Sequence, residues 1–181
     1  MPVTASLRLI GLTGTNGAGK GEAAAFFQSK GYARFSLSDI LREELERRGL
    51  ELNRDNLIRT GNALRLRYGP DILARRILKR VQDRSVIDSI RAPQEVACLR
   101  RRRGFVLLAI DAPPALRFER VQRRGRNESA STLDEFIRKE QEEMTDRPEG
   151  QQLHRCLELA DRILINDSTL EAFHRQLEEF L

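Results

Sequence analysis

The feature that most constrains this chain is a run of glycines set between an apolar stretch and an alanine-rich one. Residues 7–27 read LRLIGLTGTNGAGKGEAAAFF, which places Gly14, Gly19 and Lys20 in the spacing G-x-x-x-x-G-K. Glycines let a chain leaving a strand curl so that successive backbone N–H groups face a common point. A helix starting there adds the positive end of its dipole. The lysine closing the run supplies a point charge for outer phosphates. The segment Gly14, Thr15, Asn16, Gly17, Ala18, Gly19, Lys20, Gly21 and Glu22 is therefore the expected cradle for a polyphosphate. Two positions differ from the general pattern. Gly21 stands where a hydroxyl commonly meets Mg²⁺, and Glu22 puts an acid in the first helical turn.

A strand–turn–helix of this kind belongs in a parallel sheet, and the rest of the chain alternates accordingly. Apolar runs predict strands at Leu7–Thr13, Tyr32–Leu37, Ser85–Ile90, Phe105–Ile110 and Arg162–Asn166. Helices are expected over Gly19–Lys30, Asp39–Arg48, Arg54–Tyr68, Asp71–Gln82, Pro93–Arg103, Pro114–Arg124, Thr132–Met144, Gly150–Ala160 and Thr169–Leu181. Asn53, Ser131 and Ser168 are the expected N-caps. The 181 residues contain no linker, repeat or low-complexity tract, so one domain is expected throughout.

Composition narrows the partners. Of 32 basic residues, 28 are arginine, against 27 acidic residues and a net charge of +5. Arginine forks suit phosphate and carboxylate groups. The interspersed acids argue against nucleic acid. Arg100–Arg103 read as a solvated helix end complementing the dipole. No apolar run approaches a membrane span, and the opening residues lack the pattern of a secretory signal, so a cytoplasmic location is expected. Cys98, Cys156, His154 and His174 have no zinc-ligand spacing and read as buried thiols and ordinary helical histidines.

Three further constellations surround the glycine loop. Ser36, Asp39 and Arg42 form S-x-x-D-x-x-R at the end of the second strand. Asp88 ends the third strand, and Arg91 follows in D-x-x-R. Arg117, Arg120, Arg123, Arg124 and Arg126 cluster after the fourth strand. Arg59 and Arg65 lie on a helix between the first two sets, and Asn166 ends the last strand.

Taken together these motifs resemble the adenylate kinase-like nucleoside monophosphate kinases, whose phosphate loop also carries Gly after Lys. The opening GLTG is similar to that of dephospho-CoA kinase. The resemblance implies a three-layer α/β P-loop NTPase fold, with a five-stranded parallel sheet flanked by helices. It further implies acceptor-binding helices over roughly residues 38–82 and a lid over about 120–147. ATP and Mg²⁺ are implied as substrate and cofactor. Lys20, Arg91, Arg120 and Arg124 are the implied catalytic cations, and Asp88 the acid associated with the metal. Asp39, Arg42, Arg59 and Arg91 would meet the acceptor. The expected activity is transfer of a phosphoryl group from ATP to a small nucleotide-type acceptor, by a monomer or homodimer whose partners are small molecules. Dephospho-CoA kinase is one alternative, and a nucleotide-binding regulator with little transfer is the other.

Overall fold

The computed structural model describes residues 8–125, 130–144 and 151–181. Five parallel strands form one sheet in the order β2-β3-β1-β4-β5. They are β1 (Arg8–Gly14), β2 (Ala33–Ser36), β3 (Arg84–Asp88), β4 (Phe105–Asp111) and β5 (Arg162–Ile165). This is the expected three-layer fold, and every strand lies within two residues of its predicted bounds. The register aligns Gly14 with Ile110 and Ser36 with Asp88, which brings those carboxyl ends to one edge of the sheet. Open α/β sheets bind ligands at such an edge.

Alternation along the strands builds two cores. On one face Leu9, Ile87 and Leu107 pack against α2 (Leu37–Arg47), α3 (Arg54–Tyr68), α4 (Ile72–Ile77), α5 (Pro93–Leu99) and α8 (Leu153–Glu158). On the other, Ile10, Leu12, Val86, Leu108 and Ile110 pack against α1 (Lys20–Ser29) and α9 (Leu170–Glu178). Phe27 and Phe173 are almost wholly buried there, each contributing roughly 1.5–3 kcal/mol by removal from water. Val121, Ala130 and Phe136 join α6 (Pro114–Arg124) to α7 (Leu133–Glu143) in a small separate cluster. Cys98 and Cys156 are free and buried in the first core, as expected.

Several helix ends depart from expectation. Asn53 caps α3 as predicted, accepting from the Asn56 N–H. Helix α2 begins two residues early because the Ser36 hydroxyl accepts from the Ser38 N–H. Thr132 and Thr169, rather than Ser131 and Ser168, cap α7 and α9. Glu135 fixes the first of these by reaching back to the N–H and hydroxyl of Ser131, the residue before the cap. Helix α4 stops at Ile77 instead of running to Gln82, and the Arg80 fork is taken by Glu43 of α2 at 2.5 and 2.7 Å. Among the described residues, no helix is long and apolar enough to cross a membrane.

Candidate active site

The loop after β1 is held in its curl from outside. Gly14 has φ +141°, and a Cβ there would lie 2.0 Å from the Ile110 carbonyl oxygen, so only glycine fits. The loop carbonyls are tied back one after another. Lys20 Nζ donates to the Gly14 and Thr15 oxygens at 2.8 and 2.7 Å. Arg117 Nη1 donates to Asn16 O at 3.1 Å. Asn166 Nδ2 donates to Ala18 O at 2.9 Å, and Arg120 reaches the same oxygen at 3.4 Å. With the negative ends of these peptides engaged, the positive ends set the character of the inner face. Gly19 precedes α1 without any side-chain cap, so the helix offers its first-turn N–H groups to an anion.

Charge accumulates around this cradle. Arg91, Arg124 and Arg117 all bear on Lys20, and Asp88 opposes them. Burial, reinforced by those arginines, pushes the lysine down to about 7. A cationic site of this kind gains most when a polyanion enters.

Asp88 ends β3 as predicted and is buried. Its Oδ1 accepts from the Ser89 hydroxyl at 2.9 Å, and its Oδ2 takes Arg34 at 3.3 Å. Ser89 has φ +64°, a left-handed conformation rare outside glycine. Mg²⁺ keeps several waters and uses one or two carboxylates beside substrate phosphates, and the lone Asp88 suits that manner of binding. Among the described residues no group of three or more candidate ligands forms an all-protein cage.

A cavity of about 430 Å³ opens from Gly14 and Asn16 and runs toward α2, α3 and α7. Leu37, Leu41, Ile58, Leu73 and Phe136 give it apolar walls, while Arg65 and Arg91 stand among its polar lining. Arg91 donates to Gln151 Oε1 at 2.8 Å. Its backbone N–H donates to Glu95 Oε2 at 3.0 Å, as does that of Ala92 at 3.1 Å. The other oxygen of Glu95 receives Arg65 Nη2 at 3.1 Å.

Other expected residues sit elsewhere. Arg42 and Asp39 pair with each other at 2.6 Å, each half exposed, and do not line the cavity. They are three apart on α2, which favours a local surface pair over reaching inward. Arg59 is exposed and also outside the cavity lining. Glu22 is turned from the cradle, its carboxylate 2.8 Å from His174 Nε2 on α9. That contact directs the acid of the first helical turn toward α9. Arg120 donates to Asn166 O at 2.9 Å and so braces the loop, while Arg124 is exposed and acts on Lys20 through its field. Arg126 and parts of the expected lid lie outside the described residues.

Three residues of the site were missed. Arg117 is buried, forks onto Glu140 of α7 at 2.6 and 2.9 Å, and ties that helix to the loop. Arg34 pairs with Asp88, and Glu95 organises two arginines. Arg117 had a signal in the arginine cluster. Glu95 had none, because a glutamate in a first helical turn reads as a dipole complement.

Comparison with known proteins places this geometry. A family profile described as "AAA domain" matches residues 10–147. A UPF0200 protein of Pyrococcus horikoshii is 34% identical, with 94% of each chain covered. Another, from Methanosarcina barkeri, is 32% identical over 97% of this chain and 95% of its own. Among solved structures, TT1252 from Thermus thermophilus is similar at 25% identity with a TM-score of 0.61, covering 95% of both chains. A shikimate kinase from Acinetobacter baumannii in complex with shikimate shares the fold at 14% identity, with a TM-score of 0.59 over 97% of this chain and 91% of its own.

Proposed function

The chain belongs to the AAA-domain family and to the UPF0200 family, and from that membership and the site geometry we propose that it is an ATP-dependent small-molecule kinase, with a nucleoside monophosphate as acceptor. One observation carries the reading: the phosphate loop and the arginine-lined cavity share Gly14 and Asn16 as a common wall. Donor and acceptor would thus lie end to end, the arrangement that direct in-line transfer needs.

In this reading the triphosphate of ATP lies on residues 14–21. Lys20 exchanges its carbonyl partners for phosphate oxygens, and the charges of Arg91 and Arg124 offset the negative charge on the group in transit. Mg²⁺, carried in by the nucleotide, would neutralise part of that charge, with Asp88 and its hydroxyl neighbour Ser89 on its protein side. Arg91 contributes to the cavity that takes the acceptor. The apolar walls exclude water, which suppresses hydrolysis of ATP. No covalent enzyme intermediate is involved.

The test is ADP release measured with ATP and a panel of ribo- and deoxyribonucleoside monophosphates, dephospho-CoA and small hydroxylated carboxylates. Turnover with one or a few monophosphates is the expected result. Turnover with dephospho-CoA alone would overturn the choice of acceptor. Retained ATP binding without turnover on any acceptor would overturn the kinase reading in favour of a nucleotide-binding regulator.

A further inference from the structure

Arg65 is 5% exposed, yet it lines the cavity. Its Nη2 is held by Glu95 Oε1. Its Nε is buried and has no hydrogen-bond partner among the described residues. A buried arginine cannot shed its proton, so an N–H left unpaired there is an uncompensated donor on a full positive charge.

The surroundings look built for this guanidinium. Gly61, one turn earlier on α3, leaves room for it: a Cβ at that position would lie 3.1 Å from Arg65 Nη1 and 3.6 Å from Leu41 Cδ1. Glu95 is fully buried and divides its two oxygens between the Arg65 side chain and the backbone at Arg91 and Ala92. One carboxylate thereby fixes the position of one arginine and the main chain that carries the other. Glu95 carries one negative charge against the two guanidinium groups of Arg65 and Arg91, with Lys20 and its opposing Asp88 nearby. An arrangement that existed only to neutralise Glu95 would need one arginine and would leave no donor unpaired.

We propose that Arg65, held by Glu95, is the anion-recognising residue of the acceptor cavity, acting with Arg91 on an oxyanion (a phosphate monoester or a carboxylate) of an acceptor whose body lies against Leu37, Leu41 and Ile58. This rests on the reading of the cavity as the acceptor site. The oxyanion takes the unpaired donor and the excess charge together. Arginine suits the task because two of its N–H groups meet two oxygens at once, and lysine substitutes poorly.

The experiment follows the arginine Nε–H resonances of the wild-type chain by proton–nitrogen correlation NMR, with the Arg65 signal assigned from its absence in Arg65→Lys or Arg65→Gln. Inorganic phosphate, nucleoside monophosphates, small hydroxy-carboxylates and uncharged nucleosides are titrated in turn. The Arg65 resonance is expected to move with an oxyanion and to stay fixed with uncharged nucleosides. Movement with phosphates alone identifies a phosphate monoester as the ligand group, and movement with carboxylates alone identifies a carboxylate. No movement with either overturns the proposal. This readout needs no phosphoryl transfer, so a shift without turnover would leave it standing while the kinase reading fell. Where turnover is found, Arg65→Lys should raise the acceptor KM by about tenfold to a hundredfold while the ATP KM stays put. An unchanged acceptor KM in a variant that melts like wild type would overturn it with the kinase reading intact.

Discussion

The loop after β1 is shaped by main chain, whereas the wall of the cavity facing α3 and α5 is shaped by side-chain charge. In the loop, Lys20, Arg117, Arg120 and Asn166 all engage peptide oxygens, and glycine at position 14 is required by a carbonyl 2.0 Å from its would-be Cβ. At the wall, a single buried glutamate organises two arginines. Peptide dipoles have fixed strength and tolerate changes in nearby side chains. A buried charge network responds to every change of charge, since a removed partner leaves an ion in low dielectric. On the proposed reading, the donor half of the site is thus robust and generic, and the acceptor half is sensitive and specific.

Four outcomes would break or sharpen that contrast. The largest concerns the one side-chain charge that the loop itself supplies. Lys20→Ala should lower kcat by about a thousandfold, the scale of losing a preorganised cation at a developing charge. Activity close to wild type in ADP-release assays would remove the loop from the reaction.

Next in size is Glu95→Ala, which strips the acceptor from three donors and leaves Arg65 as a buried unpaired charge. A stability loss of about 3 kcal/mol is expected from denaturant unfolding. Affinity for a non-hydrolysable ATP analogue, measured under native conditions, should change by less than about twofold, because Glu95 bonds Arg65, Arg91 and Ala92 and reaches the loop only indirectly, through the field of Arg91. A large loss of ATP affinity would show that the halves are coupled.

The third outcome is a pH dependence. Lys20 sits at about 7 in the free protein, and an incoming polyanion raises it. Binding therefore takes up a proton, and affinity for the ATP analogue should fall by about tenfold per pH unit above 7, up to the raised value of the complex. The free protein shows the reverse trend. Its folded lysine is depressed below the ordinary value of 10.5. Between about pH 7 and 10 the unfolded chain holds the extra proton, so the lysine's contribution to stability rises with pH. Calorimetry in buffers of different ionisation heats measures the uptake directly, and Lys20→Met should abolish it.

The smallest effect belongs to Glu22. Its contact with His174 is partly exposed, with side-chain exposures of 41% and 32%. Glu22→Ala should cost less than about 1 kcal/mol of stability and leave the ATP KM unchanged. A marked gain in ATP affinity would mean that the carboxylate does reach the phosphates.

The same contrast explains what was legible in the sequence. The strands, the loop and Asp88 are each encoded within a few consecutive residues, where apolar alternation and glycine spacing are direct signals. The cavity wall joins residues far apart: Arg65 and Glu95 are 30 residues apart, and Arg91 and Gln151 are 60. No local pattern marks such pairs. Arg42 and Arg59 looked as eligible as Arg65 on motif and helix position, and only depth in the fold separates them. The capping shifts from Ser131 to Thr132 and from Ser168 to Thr169 have a smaller cause. Adjacent hydroxyls are near-equivalent caps, and at α7 the choice fell to Glu135 reaching back.

Gly21 is the loop glycine that its surroundings do not require. It lies inside α1, and a Cβ there would meet no heavy atom of the described residues within 4 Å. Serine or threonine is sterically free to occupy the position. Crowding therefore does not account for the missing hydroxyl, and a single replacement there would add a hydroxyl oxygen to the first turn of α1. On the proposed reading, substitution at this one position would compare a hydroxyl-free with a hydroxyl-bearing way of holding the divalent ion.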